Sequence, residues 1–311
     1  MKIGVVGAGA VGLYYGAKLQ QGGQDLHFVL RRDYDAIMEG GLHVQSVRGD
    51  FHLPKVQGYR HGGQIGPVDL VLVGLKADAA APLADLVGPL IGPKTMVLTL
   101  QNGLGNEERL AARFGAERVI GGTAFLCSNR GQPGTVHHLD HGHIQIAEYA
   151  QAGFTDRLTQ LAETFSGCDI PCQAKPDLTK IRWKKLVWNI PFNGLCALTG
   201  KTTSELLAHE PSRLLATEIM REVLTASKTQ GLTTPLDEDF AEQLIAITER
   251  MHNYRPSMMI DRVEGRPLEL EAIYREPLRR ARAQGVTMPC TEMLWALLDL
   301  GEPRAPRAQG A

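Results

Sequence analysis

Lys185, Asn189 and Asn193 follow one another at steps of four in the segment WKKLVWNIPFNGLCALTG, residues 183–200. On a helix that spacing places an ammonium group and two amides within one arc of the surface. Asparagine is a poor helix former, and a merely solvated face is better filled with Glu, Lys or Gln. The stripe therefore reads as a polar wall facing a cleft. Leu186, Val187, Ile190, Leu195 and Ala197 turn to a core, and Pro191 kinks the helix. A lysine in a partly dry cleft has its pKa drawn toward neutrality, so it can stabilise a developing oxyanion and then protonate it. Amides beside it can fix a polyhydroxy acid without competing for that proton.

A second constellation opens the chain. MKIGVVGAGAVGLYYGAKLQQGG reads as a short apolar strand, a tight turn over Gly7, Ala8, Gly9, Ala10, Val11 and Gly12, and a helix ending at Gly22 and Gly23. In this G-x-G-x-x-G spacing the first glycine allows the turn, the second lets backbone approach a pyrophosphate, and the third lets helix and strand pack closely. The free N–H groups of the helix N-terminus then suit phosphate oxygens. Behind a second strand, LHFVL at 26–30, stand Arg31 and Arg32 where an NAD site usually carries a carboxylate. A guanidinium pairs with a 2′-phosphate that a carboxylate would repel, so the expected cofactor is NADPH. Asp33 could cap the next helix or serve a ribose hydroxyl.

The elements that must hold these groups follow an alternating rhythm. Apolar strands are expected at 68–74, at 96–100 and within ERVIGGTAFLCS, with helices between them. Alternation of this kind implies a parallel, doubly wound sheet whose ligands sit at the carboxyl ends of the strands. Lys76, Gln101 and Asn102 fall at such ends. The stretch 134–148 holds His137, His138, His141 and His143. Its alternating isoleucines and a polar turn at Asp140–Gly142 predict a β-hairpin of two short strands with surface histidines, not a metal site. After residue 177 the pattern turns helical, with helices expected over 178–199, 211–230, 237–253, 266–284 and near 290–300. The predicted fold is α/β: a Rossmann-type domain over 1–177, an all-α domain over 178–301, and a disordered tail over 302–311.

Bulk composition narrows the function. The chain has 311 residues, 43% hydrophobic and 22% charged, with a formal net charge of −1. That balance points away from nucleic acid and anionic membranes, and the length suits two cores. No apolar run is long enough to span a bilayer, and the glycine turn stands where a secretory leader would need its apolar stretch and cleavage site. The expectation is a cytoplasmic protein with reduced cysteines, Cys168 and Cys172 lacking a second pair for zinc.

Taken in order, the glycine turn, GLK at 74–76, LQNGLG at 100–105, WKKLVWN…N…ALTG at 183–200 and PSMMIDRVEGRPLELE at 256–271 resemble the ketopantoate reductase (2-dehydropantoate 2-reductase) family from residue 1 to about residue 300. The resemblance implies an active site in a cleft between two domains, and NADPH-dependent reduction of ketopantoate to pantoate on the route to pantothenate and coenzyme A. It implies Lys185 as the catalytic lysine, since this lysine and not Lys184 stands four residues before Asn189, and Glu269 as the essential glutamate. Asn189, Asn193 and Ser257 match substrate-binding residues, Lys76 and Asn102 line the same cleft, and Arg31 meets the 2′-phosphate. Two alternatives stay open: a reductase of this build acting on another 2-keto acid, and a non-catalytic NADPH-binding regulator. A homodimer through the helical domain is compatible with the long helices.

Overall fold

A computed structural model of the chain describes residues 1–77 and 83–303. The tail expected from residue 302 lies, from 304 onward, outside the described residues, as does the start of the helix expected after the 68–74 strand. The chain divides into two compact units, one of Met1–Gln101 and Gly105–Ile181, the other of Asn102–Leu104 and Arg182–Ala311.

The first unit runs β1 (Lys2–Val6), α1 (Ala10–Gln21), β2 (Asp25–Val29), α2 (Tyr34–Gly40), β3 (Leu42–Ser46), β4 (Phe51–Leu53), β5 (Gln57–Tyr59), β6 (Leu70–Val73), α3 (Leu83–Val87), β7 (Met96–Thr99), α4 (Asn106–Phe114), β8 (Val119–Arg130), β9 (Thr135–Glu148), α5 (Asp156–Gly167) and β10 (Cys172–Ala174). These strands form one sheet in the order β4-β3-β9-β8-β7-β6-β1-β2-β5, with β10 beside β9. Successive residues of the central strands serve opposite faces, as the two-residue period requires. Ile3, Val5, Leu70, Leu72 and Leu98 pack with α1 and α5, whereas Val6, Val71, Val73 and Val97 pack with α3 and α4. Both faces are thereby covered, which makes the sheet doubly wound.

The sheet is not purely parallel. From β5 to β8 the ladder is parallel, but β9 runs antiparallel to β8, and β4 runs antiparallel to β3. The expected hairpin at Asp140–Gly142 is also corrected. Thr135–Glu148 is one continuous strand, and β8 is its hairpin partner. His141 and Gly142, at φ 61° and 113°, lie where the register of that ladder shifts. A bulge bends a strand without ending it, so the polar, glycine-containing step imitates a turn in sequence. His138 is not a surface residue. It is buried, its Nδ1 lies 2.8 Å from Ser46 Oγ, its Nε2 lies 3.1 Å from the His141 carbonyl, and its ring packs on Tyr14. Burial, first of all, holds its pKa below the usual histidine value.

The second unit comprises α6 (Leu178–Thr199, from Arg182), α7 (Thr203–Ala208), α8 (Glu210–Ser227), α9 (Phe240–Glu249), α10 (Ser257–Val263), a π-helical turn (Glu271–Arg275), α11 (Glu276–Ala283) and α12 (Pro289–Leu300). Helix α10 had no counterpart among the expected helices, and three further elements depart from expectation. The 237–253 helix is shorter, α7 was unforeseen although Thr202 and Glu205 form a capping box, and the 266–284 helix begins only at Leu270. The five predicted core positions of α6 are all buried, and Trp183 and Phe192 join them. Helix α6 passes through Pro191 as a single element. Beside that proline the Tyr274 hydroxyl donates to the Ile190 carbonyl at 2.8 Å. Gly194 makes room for it, because a Cβ there would lie 2.4 Å from the Tyr274 oxygen and 2.6 Å from Leu294. Gly194→Ala should therefore destabilise the protein by about 1–3 kcal/mol, the usual cost of overpacking, read as a lower urea midpoint with unchanged slope.

Candidate active site

In the first unit the glycine turn is built by close backbone contact. Gly7 has φ +97°, and a Cβ on it would stand 2.3 Å from the Leu75 nitrogen. A Cβ on Gly12 would stand 2.2 Å from the Gly7 carbonyl. Gly9 differs: its nearest neighbour would be the Gly74 carbonyl at 4.0 Å, so space remains over the start of α1. Gly9 is the N-cap of α1 and offers no side-chain cap, leaving the first N–H groups, across Ala10, Val11 and Gly12, for an anion. The turn thus fits a dinucleotide pyrophosphate.

At the end of β2, Arg31 and Arg32 are exposed, with Arg32 Nη2 donating to the Gly131 carbonyl at 3.4 Å. Asp33 occupies the N-cap position of α2 without capping it. Its buried carboxylate instead pairs with Arg130 and accepts from the Gly134 N–H at 3.3 Å. Gln101 is buried at the end of β7, and its Nε2 donates to the Lys76 carbonyl at 3.3 Å. Lys76 and Gln101 thus lie beyond the carboxyl ends of the adjacent strands β6 and β7.

The second unit brings Lys185, Asn102 and Glu269 into one hydrogen-bonded chain. Lys185 Nζ donates to Asn102 Oδ1 at 2.7 Å, and Asn102 Nδ2 donates to Glu269 Oε2 at 3.1 Å. One amide so bridges an amine and a carboxylate. Its place is set by the next two residues: Leu104 N–H donates to the Ala272 carbonyl at 2.9 Å, and Gly103, at φ +78°, would put a Cβ 2.2 Å from that same oxygen. Only glycine allows this approach. Glu269 is buried just before the π-helical turn that presents Ala272, a placement π-turns often have at functional sites. Lys184, by contrast, lies over the Phe240 ring.

Lys185 has its pKa lowered to about 7, first by burial, then by the neighbouring Arg182 charge, with Glu269 opposing both. Arg182 is a buried residue one turn before Lys185 that sequence reasoning passed over, although its i, i+3 spacing was visible. Further along α6, Asn193 is buried, and its Oδ1 accepts from Ser257 Oγ at 3.2 Å and from the Met258 N–H at 3.1 Å. It caps the start of α10 from another helix and orients Ser257. Asn189 is buried and makes no side-chain hydrogen bond among the described residues. Trp188 is fixed by its indole N–H donating to Thr248 Oγ1 at 2.9 Å and packs against Phe192 and Tyr254. Among the described residues no group of three or more His, Cys, Asp or Glu side chains could hold a metal ion, and no helix is long and apolar enough to cross a membrane.

A dinucleotide-type turn in one unit and an amine–amide–carboxylate chain in the other define an oxidoreductase of the α/β-plus-α build. Comparison with known proteins makes this specific. Residues 3–151 match the family described as ketopantoate reductase PanE/ApbA, and residues 177–302 match its C-terminal part. The chain belongs to the ketopantoate reductase family. It is 42% identical to a 2-dehydropantoate 2-reductase of Nostoc sp., over 97% of this chain and 96% of that one. The crystal structure of 2-dehydropantoate 2-reductase from Geobacter metallireducens superposes with a TM-score of 0.95 at 52% identity, covering 96% of this chain and 99% of that one. A D-mandelate dehydrogenase solved with NADH and anilino(oxo)acetate shares the fold, at TM-score 0.87 and 23% identity over 97% of this chain and 98% of that one.

The Lys185 shift has a thermodynamic consequence. The folded pKa lies below the unfolded value of 10.5, so between about pH 7 and 10.5 the unfolded chain holds more protons and stability rises with pH; below pH 7 the full penalty of a buried ammonium applies. Lys185→Met should gain most over the parent near pH 6, and the gain should shrink by about 3 kcal/mol by pH 9, as urea titrations at both pH values would show.

Proposed function

We propose that the protein reduces ketopantoate to pantoate with NADPH, Lys185 serving as the general acid. The observation that carries this reading is the Lys185–Asn102–Glu269 chain, with an amine whose pKa lies near 7. The glycine turn and Arg31 suit the pyrophosphate and the 2′-phosphate, with Lys76 and Gln101 beyond the carboxyl ends of the adjacent strands β6 and β7. Bound there, NADPH supplies the hydride.

The chain's own residues do the rest. Reduction turns the keto oxygen into an alkoxide, which the Lys185 ammonium stabilises and then protonates. Asn102 aims the amine through its carbonyl oxygen and neither gives nor takes the proton. Glu269 holds the far side of Asn102 and can accept from a substrate hydroxyl. Asn189 offers the substrate an amide whose side chain makes no hydrogen bond among the described residues, while Ser257, set by Asn193, offers a hydroxyl for a carboxylate. In this reading the enzyme works in the cytoplasm, on the route to pantothenate and coenzyme A. A second reading, reduction of a bulkier or flatter 2-keto acid, draws on the Trp188–Phe192–Tyr254 cluster beside Asn189.

The decisive test is NADPH oxidation with ketopantoate, run beside NADH and beside other branched and aromatic 2-keto acids. A kcat/KM for ketopantoate below that for an aromatic keto acid would favour the second reading. Lys185→Ala should cut kcat by about 10²–10⁴-fold while NADPH affinity stays within about threefold; equal loss of both would remove Lys185 from the chemistry. Because the acid form is the active one, kcat/KM for reduction should fall as pH rises through about 7. Asn102→Asp, which places a negative charge against the amine, should move that limb to higher pH.

A further inference from the structure

Asp33 and Arg130 are 97 residues apart in sequence, yet they form a pair at the end of β2. The carboxylate side of the pair is almost wholly buried, at 2% exposure, and both its oxygens are engaged, one by Arg130 and one by the Gly134 N–H. Arg130 is the last residue of β8, and Gly131–Gly134 form the tip of its hairpin with β9. That tip is tied to the same corner twice more, by Arg32 to the Gly131 carbonyl and by the His43 N–H to the Gly134 carbonyl at 2.9 Å. Asp33 is also the first carboxylate after β2, close to where an acidic residue of an NAD site accepts from the ribose hydroxyl. Left unpaired, it would present a negative charge two residues from Arg31.

We propose that Arg130 is a cofactor-selectivity residue: by engaging Asp33 it removes a carboxylate from the 2′ corner and leaves Arg31 and Arg32 to meet a phosphate. The inference rests on the NADPH reading above and deepens it. Arg130 acts here as a positioning residue. Its selectivity role changes the ratio of affinities for NADPH and NADH, whereas a merely structural role weakens both alike.

The test is the dissociation constant of each cofactor, measured by quenching of tryptophan fluorescence in the full chain. Arg130→Met should weaken NADPH by about 10- to 100-fold and change NADH by less than about threefold, a repulsion of the size expected for one exposed carboxylate against a phosphate. Adding Asp33→Asn to that variant should return NADPH to within about threefold of the parent. Asp33→Asn alone should keep or raise the preference for NADPH, and it serves as the test if Arg130→Met fails to fold. Equal weakening of both cofactors by Arg130→Met, no recovery in the double variant, or a lowered preference in Asp33→Asn would each overturn the proposal. NADH binding as tightly as NADPH to the unaltered protein would instead overturn the NADPH reading itself.

Discussion

The amide of Asn102 is the point on which the amine–amide–carboxylate arrangement of the second unit turns. Its oxygen faces the Lys185 amine and its nitrogen faces the Glu269 carboxylate, so an amide that does not titrate near neutrality separates the two groups. A direct lysine–carboxylate pair would strengthen the charged form of the amine and raise its pKa. Bridging through an amide keeps both groups oriented while burial and Arg182 dominate the titration. The rest of the second unit serves that geometry: Gly103 lets the backbone close onto Ala272, the π-turn presents Ala272, and α6 carries Lys185 on a helix whose other face is core.

The glycine turn and the end of β2 obey the same economy of contact. Gly7 and Gly12 are required by backbone atoms already in place, while Gly9 faces open space, so the three glycines of the turn have distinct physical reasons. Asp33, the residue that most complicated a reading of cofactor preference, is not at the surface at all. Its charge is matched inside the protein by Arg130, and its position at the head of α2 is not used for capping.

Much of this was legible before any coordinates. Strands β1, β2, β6 and β7 declare themselves by short β-rich apolar runs, α6 by its apolar face, and the turn by its glycine spacing. The errors came where a local signal has two physical meanings. Asp140-His141-Gly142 can end a strand or bulge it, and the ladder to β8 selects the bulge. The segment RPLELE at 266–271 can open a helix or precede one, and here Glu269 and Leu270 are buried and the helix starts only at Leu270. His138 looks like a polar surface residue until Tyr14 and Ser46 enclose it.

Local physics, then, was enough for the kind of elements present, for the glycine turn, and for the alignment of Lys185, Asn189 and Asn193, because each depends on neighbours within a few residues. The meeting of Asn102 with residues 83 and 167 positions away, and of Asp33 with Arg130, belonged to the tertiary structure alone. Such pairs arise from packing between distant segments, and no periodicity or spacing in one segment encodes which group another segment will bring to it. The same holds for the amine's pKa: its residue type is written in the chain, but the burial that sets its protonation exists only once the chain has folded.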